Sequence, residues 1–337
     1  MKLNLFSRMF LPKVWITLLC LQFFQSCEIG QHGSWKVVHS DNRVHAQGVK
    51  PIVFDSDKQG WALTLANLYR VRDGGRDWTP TFKNDGEKTF YSFTFATPKS
   101  GLVVGTQRIG SFYNVLILKT TDGGESWQEG LTNVESEQDR HRAPLLFSVT
   151  MCGETSGWAV GDDLILHTKD SGGTWERQQS NVPGESIYSV ACTNSELAWA
   201  VGTGGLMLRT TDGGKTWARS DLLPKEPLMQ IRFFGKNGWI VGGTNDESVV
   251  IRSSDEGKTW ERQQLNLPAG RILDIFFIGD QGWIAGQNGT MLVTRDVGRT
   301  WSPQKVPTTE NLTALFFLSP TEGWAAGDRL TLLHFSE

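Results

Sequence analysis

Gly157-Trp158-Ala159-Val160-Gly161, followed by Thr168-Lys169-Asp170-Ser171-Gly172-Gly173-Thr174-Trp175, decides the fold, because both pieces recur along the chain. The first is a short apolar strand opening on Gly-Trp. It returns at Gly60-Trp61, Ala198-Trp199, Gly238-Trp239, Gly282-Trp283 and Gly323-Trp324, with Gly101-Leu102 filling the one gap. The second, Ser/Thr-x-Asp-x-Gly-x-Ser/Thr-Trp, returns at Thr120–Trp127, Thr210–Trp217, Ser253–Trp260 and Thr294–Trp301. A degraded copy runs from Val71 to Trp78, with Asp77 in place of the second hydroxyl. The motif aspartates, Asp73, Asp122, Asp170, Asp212, Asp255 and Asp296, stand 49, 48, 42, 43 and 41 residues apart. Self-similarity at that period marks a closed or stacked array of small units.

Each unit predicts four short strands separated by turn signals; in the third these are Phe147–Met151, Trp158–Gly161, Leu164–Thr168 and Trp175–Gln178. The seventh unit is cut: it reaches Glu337 where the motif aspartate belongs, and stops. Its missing half matches Ser34-Trp35-Lys36-Val37-Val38 at the other end of the array. An array completed by its own N-terminal strand leaves no open sheet edge. The chain is thus all-β, a seven-bladed β-propeller over residues 34–337 with the last blade closed by the N-terminal strand.

The composition agrees with that reading. Among 337 residues are 14 Trp and 37 Gly, well above ordinary usage, and the repeats account for twelve of the tryptophans. With 33 Lys+Arg against 36 Asp+Glu there is no basic surplus to neutralise phosphates, which argues against nucleic acid. Residues 1–27 stand apart: positive charge up to Lys13, then the apolar run Val14–Phe24, too short to span a bilayer and suited to a secretory signal. Phe24-Gln25-Ser26-Cys27 resembles a lipobox, which makes Cys27 a candidate lipidation site and the protein an exported, membrane-anchored lipoprotein, periplasmic or at the cell surface; a plain cleaved signal and an uncleaved anchor are the alternatives. Cys152 and Cys192 remain. Aligned on their units they fall one strand position apart, on opposite faces, and are expected to be free thiols.

The box aspartates are expected to accept hydrogen bonds from turn amides, with the following glycine at positive φ. One aspartate per turn, with no second ligand at fixed spacing, supports neither a metal nor acid–base catalysis. If the two box hydroxyls pair across the hairpin, the residue before the first lies opposite the box Trp. That column reads Arg70, Lys119, His167, Arg209, Arg252, Val293 and His334, and implies cation–π pairs or, as the alternative, a basic ring that binds a partner.

Asp-box repeats occur in sialidases, and the enzyme reading can be examined directly. The Phe/Tyr-Arg-Ile-Pro motif is absent; Tyr91 and Tyr188 begin innermost strands, Glu185 precedes the latter, and Arg232 is the one arginine well inside such a strand. No catalytic residue, cofactor or metal site emerges. Repeated GWAVG–box–Trp units, as in Gly157–Val160 followed by Asp170–Trp175, resemble the photosystem II stability/assembly factor family over nearly all of residues 34–337. That resemblance implies a seven-bladed propeller without catalytic activity that assists assembly of a membrane complex. The expected function is therefore a protein-binding scaffold at the envelope, a monomer touching the membrane only through its anchor. The alternatives are extracellular glycan binding and a sialidase-like glycosidase.

Antiparallel alternation places the box turns on one face, with second-to-third-strand loops and blade connections on the other. The irregular stretches Gln107–Asn114, Gly130–Ala143 and Gly242–Ser248 belong to that second face. The first two gather Arg108, Tyr113, Arg140, His141 and Arg142, the expected partner-binding residues.

Overall fold

In a computed structural model the described residues are 33–41, 48–82, 84–130, 145–220, 225–265 and 270–337. They form seven four-stranded antiparallel sheets arranged as a seven-bladed β-propeller. The innermost strands of blades 1 to 7 are Ile52–Phe54, Lys88–Phe95, Leu146–Met151, Ile187–Cys192, Leu228–Phe234, Ile272–Ile278 and Leu312–Ser319. In blade 7 the outermost strand is Ser34–His39, paired with Leu332–Ser336 at Trp35↔Phe335 and Val37↔Leu333. The ring closes through the N-terminal strand, as the split repeat requires.

Why Gly precedes Trp is visible in five of the blades. There the glycine pairs with a phenylalanine near the end of the innermost strand: Phe54↔Gly60, Phe95↔Gly101, Phe233↔Gly238, Phe277↔Gly282 and Phe317↔Gly323. A Cβ at Gly60 or Gly101 would come within 2.7 Å of that phenyl ring. With the space kept open, the ring lies against the tryptophan of the preceding blade. Phe54 stacks on Trp324 at 3.8 Å, Phe317 on Trp283 at 3.6 Å and Phe277 on Trp239 at 4.6 Å, and Phe233 lies tilted against Trp199 at 4.4 Å. The tryptophans of blades 3 to 7 are wholly buried. Each removes about 150–250 Å² from water, on the order of 5 kcal/mol at about 25 cal/mol/Å².

Blade 4 departs from this plan, and its departure corrects the cysteine expectation. There Cys192 stands where the phenylalanine belongs and Ala198 where the glycine belongs. Cys152 and Cys192 are joined in a disulfide with Cα atoms 6.0 Å apart. The two thiols do lie on opposite faces of their own strands. In a ring, however, the forward face of blade 3 meets the backward face of blade 4, so opposite faces on neighbouring blades converge. Both cysteines pack against the cluster of Trp158, Val160, Val190 and Trp217 in that one interface.

A cross-link over 40 residues of sequence that restrains two blades constrains the unfolded chain more than the folded one. Cys152→Ser or Cys192→Ser is expected to cost about 2–4 kcal/mol in denaturant unfolding. Non-reducing peptide mapping of the wild type should recover the two cysteine peptides joined; recovering them separate would remove the disulfide.

Candidate functional site

The Asp boxes are closed structures. Asp170 Oδ1 accepts from the Thr174 backbone N–H and the Thr168 hydroxyl, both at 2.8 Å, and Oδ2 accepts from the Thr174 hydroxyl at 2.8 Å. Thr168 Oγ1 accepts in turn from the Gly172 N–H at 2.9 Å, with Gly172 at φ 80°. The same set recurs at Asp122, Asp212, Asp255 and Asp296. In the degraded copy Asp73 makes only an exposed 3.6 Å ion pair with Arg76. Among the described residues no group of three or more His, Cys, Asp and Glu could hold a metal.

Because each first hydroxyl turns inward to the box amides, the two hydroxyls do not pair across the hairpin, and the predicted register is off by one. His167 lies opposite Glu176 rather than Trp175, and His334 opposite Lys36 rather than Trp35. The basic column instead meets the Gly-Trp tryptophan on its other side. Arg70 sits 4.8 Å over Trp61, Arg252 5.4 Å over Trp239 and Arg209 5.8 Å over Trp199, while His167 and His334 stack on Trp158 and Trp324. Lys119 and Val293 occupy the same position beside Leu102 and Trp283. The column belongs to the blade interior and presents no basic ring.

The second face carries two features. The first corrects the reading of Gln107–Asn114 as a loop: it is the end of a hairpin, Gly101–Ile109 with Phe112–Thr120, paired out to Arg108↔Tyr113 and Ile109↔Phe112. Blade 3 stops pairing at Gly161↔Leu164, aligned with Gly105↔Leu116, so the blade 2 hairpin runs four residue pairs, about 13 Å, further. Its end exposes Ile109 (56%) and Tyr113 (48%). Arg108 is held by a two-pronged ion pair to Glu87 at 2.7 and 3.0 Å. Arg140, His141, Arg142 and Cys27 lie outside the described residues.

The second feature is a central cavity of about 540 Å³, which no single motif announced. In blades 2 to 7 the innermost strand is interrupted near its start by an unpaired residue: Tyr91, Phe147, Tyr188, Met229, Leu273 and Thr313. Lys50, just before the paired part of blade 1, holds the aligned position. A bulge frees a side chain from the alternation and re-aims it, and all seven residues line the cavity. Tyr91, Phe147 and Tyr188 form a wall with ring centroids 5.4 and 5.8 Å apart. These positions lie toward the hairpin end of each blade, so the belt surrounds the mouth on the second face.

In four blades the residue after the bulge ties its blade to the next. Ser92, Ser148 and Ser189 accept from the backbone N–H of Val149, Val190 and Ile231 in the next blade, at 3.2–3.4 Å. In blade 6 this residue is Asp274, buried, accepting from the Ile275 and Leu315 amides at 2.9 and 2.8 Å and paired with Arg232 at 3.0 Å. Burial pushes the Asp274 carboxyl above the ordinary range while Arg232 pulls it down. Burial likewise lowers the pKa of Lys50, opposed by the charges of Asp274 and Asp328 and reinforced by Arg271. Glu185 lies outside this lining and bonds the Thr203 hydroxyl.

Comparison with known proteins follows from this geometry. Residues 81–187, 178–270 and 269–336 match the family described as Photosynthesis system II assembly factor YCF48. The photosystem II assembly lipoprotein Ycf48 of Synechococcus sp. (strain CC9902) is 30% identical over 132 residues, 38% of this chain and 35% of the relative. The chloroplastic photosystem II stability/assembly factor HCF136 of Oryza sativa subsp. japonica is 30% identical over 124 residues, 36% and 27% of the two chains. The matches thus span about a third of those relatives' lengths. A solved structure of YCF48 bound to D1 peptide superposes with a TM-score of 0.66 at 22% identity, covering 90% of this chain and 97% of that one, which speaks to the fold.

The box geometry fixes an acid response. The carboxyls of Asp212 and Asp255 are pushed down to about 2, first by the backbone N–H of Thr216 and Thr259; Asp296 reaches about 2 through Thr300 and Thr294 against the upward push of burial. A pKa lowered by folding adds stability that is complete above the unfolded value and is lost as pH falls through the folded one. Denaturation midpoints should therefore fall from about pH 4 to about pH 2. Asp212→Asn should be less stable at neutral pH and lose less across that window; an unchanged acid slope would remove the box carboxylates as its cause.

Proposed function

This chain belongs to the Photosynthesis system II assembly factor YCF48 family, and from that membership we propose that it works as an exported, non-catalytic scaffold that holds a membrane-protein segment while its complex is assembled at the cell envelope. The carrying observation is the blade 2 hairpin. A uniform propeller has no structural use for a single strand pair extended about 13 Å beyond its neighbours with Ile109 and Tyr113 in solvent. Arg108, tied to Glu87, supplies a rigid polar rim beside that apolar tip. Arg140, His141 and Arg142 follow the same blade in sequence, and we keep them in the proposed partner-binding set. The relative named an assembly lipoprotein supports reading Cys27 as the lipid attachment point and residues 1–27 as its signal.

A non-catalytic reading has its own support. Tyr91 and Tyr188 line the cavity, but no glutamate joins them among the described lining residues, and the one arginine there, Arg232, is committed to Asp274. A retaining or inverting glycosidase needs two carboxyl groups facing each other across the bond to be cut, and the lining offers Asp274 alone.

The test is capture from gently solubilised native membranes, with the lipidated wild type beside an Ile109→Ser/Tyr113→Ser variant whose fold is checked by thermal melting. One stoichiometric membrane protein should be held by the wild type and reduced about tenfold or more with the variant, as for loss of a central aromatic anchor. Equal capture by both would take the hairpin out of the reading, and empty capture by both would overturn the scaffold. Cys27→Ser should move the protein from the membrane to the soluble fraction; an unchanged membrane fraction would overturn the anchor.

A further inference from the structure

The bulge belt is chemically lopsided. Six of its seven side chains are aromatic, aliphatic or, for Thr313, turned away to donate to the Val49 and Ala326 carbonyls. Tyr91, Phe147 and Tyr188 form a continuous wall, Met229 and Leu273 extend it, and only Lys50 brings a charge to the mouth. Lys50 is half-buried, and its ammonium makes no hydrogen bond or ion pair with the described residues. Its electrostatic neighbours are already engaged. Asp274 is held by Arg232 and two amides, Asp328 accepts from the Asn311 amide at 2.8 Å, and Arg271 donates to the Gly243 carbonyl at 3.2 Å. The two carboxylates that act on Lys50, Asp274 and Asp328, thus already have partners, and the ammonium stands at one end of an apolar mouth.

We propose that the mouth of the central cavity binds a carboxylate carried on an aromatic or aliphatic body, with the carboxylate on Lys50 and the body against Tyr91, Phe147, Tyr188 and Met229. One unpartnered ammonium suits a monoanion, because a dianion would leave a second charge unpaired beside apolar walls. A cavity of about 540 Å³ lies within the range of small-ligand sites, and a few convergent polar groups in an apolar lining are what such sites use for orientation. The ligand can be a free acid or the C-terminus of a peptide, since both present the same group. The site stands on the cavity alone and does not depend on the hairpin as a docking surface.

Calorimetric titration of the full chain separates the possibilities. The probes are 3-phenylpropionate, 3-phenylpropionamide, and an N-acetylated tetrapeptide ending in Phe as its free acid and as its amide. The acids should bind about ten- to a hundredfold more tightly than the matching amides, the scale of a charge-assisted hydrogen bond. Lys50→Met should abolish that preference. Met229→Trp, which narrows the mouth and leaves the charge, should weaken acid and amide alike, and it keeps the test open if Lys50→Met fails to fold. Tighter binding of the peptide acid than of 3-phenylpropionate supports the site with a chain terminus as its ligand; the reverse supports it with a free acid. Equal affinity of acids and amides for the wild type, an acid preference that survives Lys50→Met, or no binding of any probe would each overturn the proposal.

Discussion

Five of the seven blade interfaces rest on a phenyl ring laid between a glycine of its own blade and a tryptophan of the one before. The glycine is there to lack a side chain; the tryptophan is there to offer a face. Phe54 against Trp324 closes the ring with the same contact that Phe233, Phe277 and Phe317 make elsewhere. The contact couples three residues in three strands, so a change at one position demands a change at the others. Blade 2 shows this: Leu102 replaces the tryptophan, and the residue facing it from blade 3 is Met151, a flexible side chain in place of a ring. Blade 4 shows it again, where Ala198 supplies a Cβ, Cys192 shrinks to accommodate it, and the bond to Cys152 restores the lost cohesion.

The repeat made the architecture readable because each unit spends the same residues on the same contacts, so blade number, strand order and the split closure follow from alignment alone. What alignment could not supply was the relation between neighbouring units. Facing directions were read within a single strand, where Cys152 and Cys192 diverge; the interface that joins them exists only in the ring. The basic column failed by a similar step. Its residues were the right ones for stacking on tryptophan, but Thr168 Oγ1 turns into the box and not across the hairpin, which hands His167 and its counterparts to the opposite neighbour. Gln107–Asn114 looked like a loop because Gly110 and Ser111 interrupt it, although two residues are all that a tight hairpin turn needs.

The candidate site was legible in part. Arg108 and Tyr113, which we propose for partner binding, stand out through an irregularity in length, the one signal that a departure from the repeat leaves in a sequence. The bulge belt left a fainter signal. In each unit a buried apolar residue (Val49, Phe90, Leu146, Ile187, Leu228, Ile272 or Leu312) is followed by the bulge and then by Pro51, Ser92, Ser148, Ser189, Gln230, Asp274 or Ala314. Read as a column, the bulge position is free to vary because it makes no ladder pair, and that freedom is what lets it carry specificity. Lys50 was invisible as one lysine among many until the register placed it beside Tyr91 and Thr313.

The ring is uniform in its outer strands and divided at its hub. Blades 2 to 4 clasp one another through serine hydroxyls, neutral and small. Between blades 5, 6 and 7 the same task falls to Asp274, whose carboxylate takes two amides and must then be balanced by Arg232. Substituting a serine by an aspartate in a buried belt costs desolvation that the ion pair offsets only because both carboxylate oxygens are fully engaged. No blade interface requires that exchange, since serine serves elsewhere, so its effect is on the cavity: one side neutral and aromatic, the other charged. If Lys50 takes the carboxylate as proposed, a ligand has one favoured orientation, polar end toward blade 1 and apolar body toward blades 2 to 5, and the asymmetry that fixes it is written in the hub residues.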